Sequence, residues 1–146
     1  MSGLLNRNKY NIKIKYIAQQ KDNGNIFIRV IDEKNIRLLS EKNISEIQEL
    51  NTTWRDLTYK DQSEANSYAN EVISSRDGNM ATIRNSEKYD FWLLSHCLLS
   101  WDLKDDNGAI IPVAENVILE LPLTVSKSLI RYYKEIIFPN DEILKN

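Results

Sequence analysis

The residues best suited to chemistry in this chain are its only histidine and its only cysteine, which are neighbours at His96 and Cys97. A Cys/His dyad needs both side chains to converge within hydrogen-bond reach of each other. Adjacent residues on a helix point about 100° apart, and these two lie among leucines in a stretch that reads as helical. The pattern therefore predicts a packed helix with a buried structural thiol rather than a nucleophile and its base.

An acidic loop is the second place where chemistry could reside. Four side chains with oxygen donors precede a glycine: Asp102, Asp105, Asp106 and Asn107. A calcium-binding EF-hand loop needs oxygen donors at positions 1, 3 and 5, glycine at 6 and glutamate at 12. With Gly108 at position 6, Leu103 falls at position 1 and Ala114 at position 12, so the pattern fails at both ends. We expect a solvated turn and no metal site, and one histidine with one cysteine also argues against structural zinc.

No other catalytic device is visible in the sequence. Phosphate-binding glycine loops, the zinc-protease HExxH and the hydrolase GxSxG patterns do not occur. The acidic residues fall in turns and on polar helix faces, so no carboxylate pair stands out as acid and base. We predict no catalytic residues, no cofactor and no enzymatic activity.

The bulk composition is that of one globular domain. The chain has 146 residues, 42% hydrophobic and 27% charged, which fits a single domain over 1–146. Its formal net charge of −2 argues against a dedicated nucleic-acid binder, which usually carries a basic excess.

Targeting signals are not evident either. No apolar run reaches the roughly 18 residues of a membrane span, and the first residues lack the apolar core of a signal peptide. Ser2 stands where N-myristoylation requires glycine. The sequence predicts an intracellular, soluble protein.

Residues 9–39 are predicted to form the β-rich part. Apolar residues alternate with polar ones at the start of this part, which is the period of a half-buried strand: Tyr10, Ile12, Ile14 and Tyr16. A turn at 21–24 leads to a second, antiparallel strand over 26–31. Residues 36–39 are predicted to form a third, short strand.

Residues 43–138 are predicted to be mainly helical, with 139–146 as a loose tail. Ile44, Ile47 and Leu50 fall at spacing three and suggest a short helix, which Ser45 could cap. A second helix is predicted over 59–74, where Thr58 and Asp61 resemble a capping box. Residues 75–84 are polar, contain an Asp-Gly turn signal, and are predicted to be the most flexible region.

The most apolar helix is predicted to follow, capped by Asn85 or Ser86 and closed by Trp101. Next we predict a turn at 107–108, a brief strand at 109–111 and a short helix over 114–119. Pro122 opens the last helix, since its fixed φ suits a first turn, and Pro139 stops it. These elements predict an α+β fold, with an N-terminal antiparallel hairpin or small sheet followed by a mainly helical C-terminal part.

A basic strand leaves a nucleic-acid alternative open. Four cations are interleaved with two tyrosines near the N-terminus: Arg7, Lys9, Lys13 and Lys15. Exposed aromatic rings on a sheet can stack on bases while lysines contact phosphates. Tyr10 and Tyr16, however, share the parity of Ile12 and Ile14 and are predicted to face the core. The alternative function is a small nucleic-acid-associated protein that uses this basic face.

The segment from 53 to 133 resembles small bacteriophage tail proteins. It reads TWRDLTYKDQSEA, then a helix ending in LLSWDL, then DDNGAIIPVAENVILELPLTVSKSLI. The order is similar to that in tail assembly chaperones and related tail or baseplate assembly proteins: Trp-x-Leu, an Asn-Gly turn, Ile-Pro, a short helix and Leu-Pro before a last helix. These motifs are structural and cover a little over half of the chain.

The resemblance implies a non-enzymatic protein that acts by protein–protein binding during tail or baseplate assembly, as a chaperone or a structural tail component. Its partners would be tape-measure, hub or baseplate proteins, with a homo-oligomer possible and no membrane involved. It would act in the host cytoplasm during assembly, or be retained in the virion tail. Because aromatic residues are enriched at binding hot spots, five residues are predicted as partner anchors: Trp54, Trp101, Leu129, Tyr132 and Tyr133.

Overall fold

The computed structural model describes residues 8–20, 22–32, 35–39 and 46–139. In chain order the elements are β1 Lys9–Gln20, β2 Ile26–Ile31, one turn of 3-10 helix Ile36–Leu38, β3 Gln48–Arg55, α1 Tyr59–Ala69, β4 Asn70–Ser74, β5 Met80–Arg84, α2 Ser86–Cys97, β6 Leu98–Trp101, α3 Glu115–Glu120 and α4 Leu123–Ile137. The fold is α+β with an antiparallel sheet first in the sequence, so the predicted class is confirmed.

The main sheet has four strands in the order β2-β1-β3-β6, and every pairing in it is antiparallel. The predicted alternation of β1 is confirmed, because Ile12 and Ile14 are buried while Lys13 is exposed. Ile14 lies opposite Leu50 of β3, so the two central strands present their apolar side chains to the same side.

The hydrophobic core lies between this face of the sheet and the helices. It takes buried side chains from β1, β3, β6 and all four helices, from Ile12 to Tyr133 along the chain. Helix α4 contributes the stripe Val125, Leu129 and Tyr133, as its predicted amphipathic pattern requires. Within the described ranges, no helix combines the length and apolarity needed to cross a membrane.

Strand β3 corrects the helix predicted to start at residue 43. Leu50, Thr52 and Trp54 are buried at a spacing of two, which is the period of a strand. Thr52 concealed this alternation because it is polar, yet its hydroxyl donates to the carbonyl oxygen of Ile12 at 2.7 Å and is satisfied inside the core. Ile44 and Ser45, which supported the helix, lie outside the described residues.

The short strand predicted at 36–39 is also wrong, because Ile36–Leu38 form a 3-10 turn. Two hydrogen bonds from backbone N–H groups to side-chain oxygens reverse the chain just before it. Asn35 accepts from the backbone N–H of Asp32 at 2.7 Å, and Asp32 accepts from that of Asn35 at 3.0 Å. Such local side-chain bonds compete with extended structure.

Helix α1 is shorter than predicted. It begins at Tyr59 with the capping box of Thr58 and Asp61, but ends at Ala69 instead of Ser74. Asn70–Ser74 form β4, which pairs with β5 as a two-stranded antiparallel sheet. The polar stretch 75–84 was predicted to be flexible, but its second half, Met80–Arg84, forms strand β5.

Residues 70–84 form what we call the hairpin arm. Its turn closes with a bond from Ser75 N to Asn79 O at 2.8 Å, and Gly78 takes φ +84°. A three-residue loop with glycine in the left-handed region is a common way to join two strands. Nine of the ten strand residues are exposed and Glu71 is half-buried, so the arm stands away from the core.

Trp101 does not close an apolar helix as predicted. Helix α2 ends at Cys97, and Leu98–Trp101 form β6 at the edge of the main sheet. Thr52 lies opposite Trp101, and the register shifts between Thr53 and Trp54. Because of that irregularity, Leu98 and Trp101 are both buried although they are three positions apart. A spacing of three also fits a helix, which is why the sequence pattern predicted one here.

The C-terminal elements follow the prediction closely. Helix α3 spans Glu115–Glu120 and α4 spans Leu123–Ile137 after Pro122. The predicted strand at 109–111 is reduced to a single bridge between Lys104 and Ile110. The predicted loose tail lies outside the described residues beyond Pro139.

Candidate functional site

Four of the five predicted partner anchors lie in the hydrophobic core. Trp54, Leu129 and Tyr133 have 0% exposure and Trp101 has 5%. A partner could reach them only if the domain opened, so their assignment as surface anchors is corrected. Their size and apolarity are used for packing, which removes far more apolar area from water than a surface site would.

The centre of the core is a stacked aromatic pair. The rings of Trp54 and Tyr133 have centroids 4.5 Å apart and an interplanar angle of 22°. Trp54 Nε1 donates to Thr52 Oγ1 at 2.7 Å, and the Tyr133 hydroxyl donates to the carbonyl oxygen of Arg55 at 2.7 Å. Both polar tips are thus satisfied, which lets both rings be fully buried.

Trp101 secures the turn that follows it. Its Nε1 donates to the carbonyl oxygen of Ile111 at 2.6 Å. The bond spans the loop from 102 to 111 and fixes the far end of that loop against β6. The resemblance motif around Trp101 is therefore a packing device.

Tyr132 is the one predicted anchor that reaches the surface. It is half-buried, packs against the core, and has the Arg131 guanidinium 4.9 Å from its ring centroid. It also lines a shallow pocket beside Lys13 and Lys15.

Arg55 is a junction that the sequence analysis missed. Its Nη1 and Nη2 donate to the two carboxylate oxygens of Asp61 at 2.5 and 3.1 Å, and its Nε donates to the carbonyl oxygen of His96 at 2.9 Å. The carbonyl oxygen of Arg55 also accepts from the Tyr133 hydroxyl. Arg55 therefore joins β3 to α1 through Asp61, to α2 through His96 and to α4 through Tyr133. An Arg six residues before an Asp was the only signal in the sequence.

The junction changes the acidity of Asp61. Burial alone would raise the pKa of this carboxyl, but bonds from Arg55 and Thr58 and the Arg55 charge outweigh burial and lower the pKa to about 2. The same carboxylate accepts from the backbone N–H of Thr58 at 2.9 Å. Asp61 therefore remains ionised and caps α1 while it holds Arg55.

His96 and Cys97 have separate partners, in keeping with the predicted packed helix. The His96 ring stacks on Trp92 with centroids 4.0 Å apart, and its Nδ1 lies 3.0 Å from the carbonyl oxygen of Trp92. Cys97 is fully buried, and that burial raises the pKa of its thiol. A neutral, enclosed thiol is a poor nucleophile.

The acidic loop holds its own backbone. Asp105 Oδ1 accepts from the N–H groups of Asn107 and Ala109 at 2.9 and 3.0 Å. Gly108 N donates to Asp105 O at 3.0 Å, which closes the predicted turn. Among the described residues no cluster of three or more acidic, histidine or cysteine side chains could hold a metal ion.

Gly108→Ala is expected to lower the free energy of unfolding by about 1–2 kcal/mol, the cost of a left-handed backbone for an L-residue. Gly108 has φ +82°, and an added Cβ would meet nothing within 4 Å, so backbone strain is the whole effect. Urea denaturation followed by circular dichroism measures it. Asn107→Ala, a change in the same turn at negative φ, serves as the control; equal losses in both variants would contradict the strain argument.

The basic strand offers charge without the aromatic rings that would stack on bases. Tyr10 and Tyr16 pack against the core, as their parity predicted. Lys13 and Lys15 are exposed, and Lys13 Nζ lies 3.5 Å from a carboxylate oxygen of Glu49. This face therefore lacks the combination that the nucleic-acid alternative requires.

An apolar groove between α2, α3 and α4 is the surface best suited to bind another protein. We call it the helical groove; its volume is about 490 Å³. Its lining is mostly leucine, isoleucine and phenylalanine: Phe91, Leu94, Ile118, Leu119, Leu121, Leu123 and Ile130, with Glu87, Asp90, Ser126 and Lys127 at the polar positions.

The floor and rim of the groove differ in exposure. Leu94 and Ile130 on the floor are 5% exposed, whereas Leu119 and Leu123 on the rim are 71% and 66% exposed. Leu121, extended before Pro122, separates α3 from α4. Two large leucines in water beside an apolar floor are typical of a surface that a partner covers.

The polar positions define the chemistry of an occupant. Asp90 is neutralised by Lys134, whose Nζ lies 2.6 Å from Asp90 Oδ1. Glu87 and Lys127 remain exposed at the edge. One acidic and one basic group around an apolar floor suit an amphipathic helix or an extended apolar segment.

A sequence signal for the rim residues existed. Val117, Ile118 and Leu119 are consecutive apolar residues in a six-residue helix, and one face of a helix cannot hold all three. Leu123 lies two positions before Val125 and so falls off the buried stripe of α4.

Comparison of the chain with family models, curated proteins and solved structures finds no match.

Proposed function

We propose that this chain is a non-enzymatic bacteriophage tail or baseplate assembly protein that acts by binding another protein through the helical groove. The observation that carries the proposal is the pair Leu119 and Leu123, exposed at 71% and 66% beside an apolar floor. Both residues lie in the segment 53–133, which resembles tail assembly chaperones and related proteins.

The occupant would be an amphipathic helix or apolar segment of a tape-measure, hub or baseplate protein. The groove supplies a buried apolar centre and a polar edge, which is the arrangement found in stable protein interfaces. Binding would take place in the host cytoplasm during assembly, and the protein would then either leave or remain in the virion tail.

The double variant Leu119→Lys/Leu123→Lys is expected to weaken binding to the partner by about 2 kcal/mol or more, roughly 30-fold, the size of a hot-spot loss. Both side chains are solvent-exposed, so the fold should persist. Calorimetry or surface binding with neighbouring tape-measure, hub and baseplate gene products measures the affinity.

Tyr59→Lys is the matched control, because Tyr59 is a large side chain with 92% exposure at the start of α1, away from the groove. It should leave the affinity unchanged. Unchanged binding by the leucine double variant would remove the groove from the proposal. Failure of the wild-type chain to bind any tail protein of its phage would remove the proposed function itself.

Mass spectrometry of purified phage particles distinguishes the two roles within the proposal. A chaperone would be absent from the particles, whereas a structural tail component would be present at fixed stoichiometry. In both cases, we expect the protein to bind its partner through the helical groove in an extract of the infected cells.

A further inference from the structure

The hairpin arm is a two-stranded sheet that has exposed apolar side chains on both faces. Val72 and Met80 are 63% and 71% exposed on one face, and Ile73 and Ile83 are 47% and 43% exposed on the other. Neither strand pairs with a third among the described residues. A lone hairpin is marginally stable in water, and three or more strands usually stabilise it.

The outer edge of β5 presents unused backbone groups. Asn85 N donates to Ala69 O at 2.8 Å at the base of the arm. Along two antiparallel strands, opposite residues that exchange backbone hydrogen bonds alternate with opposite residues that do not. Asn85 and Ala69 are hydrogen-bonded, and Thr82, opposite Val72, lies three residues from Asn85. Thr82 is thus in a non-bonded pair, so its N–H and C=O point outward from β5, and those of Val72 point outward from β4.

The edge of β5 carries no charge that would repel another strand. Its only charged residue is Arg84, whose guanidinium lies 4.4 Å from the ring centroid of Tyr89, with Nη1 3.4 Å from Asn66 Oδ1. The cation is therefore turned back over α1 and α2. Exposed edges are usually protected by proline or inward-pointing charge, and β5 has neither.

We propose that β5 pairs antiparallel with β5 of a second copy of this chain, centred on Thr82, to form a four-stranded sheet. In this register the two Thr82 residues exchange both backbone bonds, and Met80 lies opposite Arg84 of the other copy. A twofold axis makes the edge complementary to itself, and threonine pairs are favourable across strands.

Side-chain sizes and charges in this register favour β5 over β4. On one face Ala81 lies opposite Ile83 of the second copy, so a small residue meets a large one in both halves. The corresponding pairing of two β4 strands would place the carboxylate of Glu71 opposite Ile73. Glu71 is already held by Lys88 Nζ at 2.8 Å at the base of the arm.

Thr82→Pro tests this pairing. Proline removes an N–H that points outward, so the hairpin itself loses no bond, but the dimer loses two bonds at its centre. The dissociation constant measured by analytical ultracentrifugation should rise at least about tenfold. Val72→Pro is the matched control, because Val72 lies directly opposite Thr82 and its N–H points out of the β4 edge.

A cysteine variant tests the same register without disturbing the edge. Thr82→Cys should form a disulfide-linked dimer under mild oxidation, since residues opposite each other on paired strands lie about 5.5 Å apart. Val72→Cys should not, because the two β4 strands would be three strand spacings apart, about 14 Å. The native thiol, Cys97, is fully buried and does not interfere.

Three results would overturn the pairing: a wild-type chain that stays monomeric at high concentration, equal weakening by both proline variants, or equal cross-linking by both cysteine variants. The groove variant Leu119→Lys/Leu123→Lys should retain self-association. Failure of the pairing is therefore distinguishable from failure of the proposed function.

Discussion

Trp54→Ala is expected to lower the free energy of unfolding by about 3–5 kcal/mol, the usual cost of truncating a buried tryptophan. The residue has 0% exposure, stacks on Tyr133, and donates a hydrogen bond to Thr52. Its loss would leave a cavity between the sheet and α4 and remove the bond that Thr52 Oγ1 accepts. Urea denaturation followed by circular dichroism measures the change.

Tyr59→Ala provides the comparison, since this aromatic residue is 92% exposed and its truncation should change stability by less than about 0.5 kcal/mol. The Trp54 experiment also decides between two roles for this residue. A Trp54→Ala protein that keeps its stability but no longer binds its partner would restore Trp54 as a surface anchor and contradict the core described above.

Asp61→Asn should be the second most damaging change, lowering the free energy of unfolding by about 1–3 kcal/mol at neutral pH. The variant removes the charge that holds Arg55, while its amide oxygen can still accept from Thr58. Asp106→Asn, at an exposed carboxylate in the 105–108 turn, is the matched control and should have little effect.

The effect of Asp61→Asn should depend on pH. The pKa of Asp61 in the folded protein is about 2, below its ordinary value of 3.8. A carboxyl whose pKa is lowered by folding stabilises the native state above its unfolded pKa, and that contribution is lost as the pH falls towards the folded pKa. The stability difference between wild type and variant should therefore shrink from pH 5 to pH 2. A constant difference over that range would show that the ion pair is not its source.

Local periodicity was sufficient to predict the elements that keep a simple pattern. Strand β1 alternates cleanly, and α4 has a single apolar stripe after Pro122, so both follow from the sequence. Strand β3 does not follow from the sequence, because its buried residue Thr52 is polar. The Thr52 hydroxyl finds its hydrogen-bond partner at the carbonyl oxygen of Ile12, forty positions away. Strand β6 continues the apolar run of α2, and only its pairing with β3 shows where the helix ends.

Four of the five residues predicted to anchor a partner are buried in the core. The last helix was chosen together with Trp54 and Trp101 because aromatic residues are enriched at binding hot spots. Whether an aromatic side chain faces inward depends on tertiary partners: Trp101 needs Ile111, and Tyr133 needs Arg55. The exposed residues turned out to be aliphatic, Leu119 and Leu123.

The motifs behind the family resemblance acquire a physical meaning from these contacts. Trp101 fastens the loop that ends at Ile111, and the Leu121–Pro122 step sets α3 apart from α4. Leu121 itself also lines the helical groove.

During synthesis on the ribosome, Trp54 emerges well before the helix that covers it. The Tyr133 bond to Arg55 spans 78 positions, and at about 5–20 residues per second this interval lasts roughly 4–16 s. The β1–β2 hairpin can form early, but the apolar face of the sheet remains uncovered until α4 is made. The nascent chain exposes this apolar face during that interval and is therefore prone to aggregation until α4 has been made.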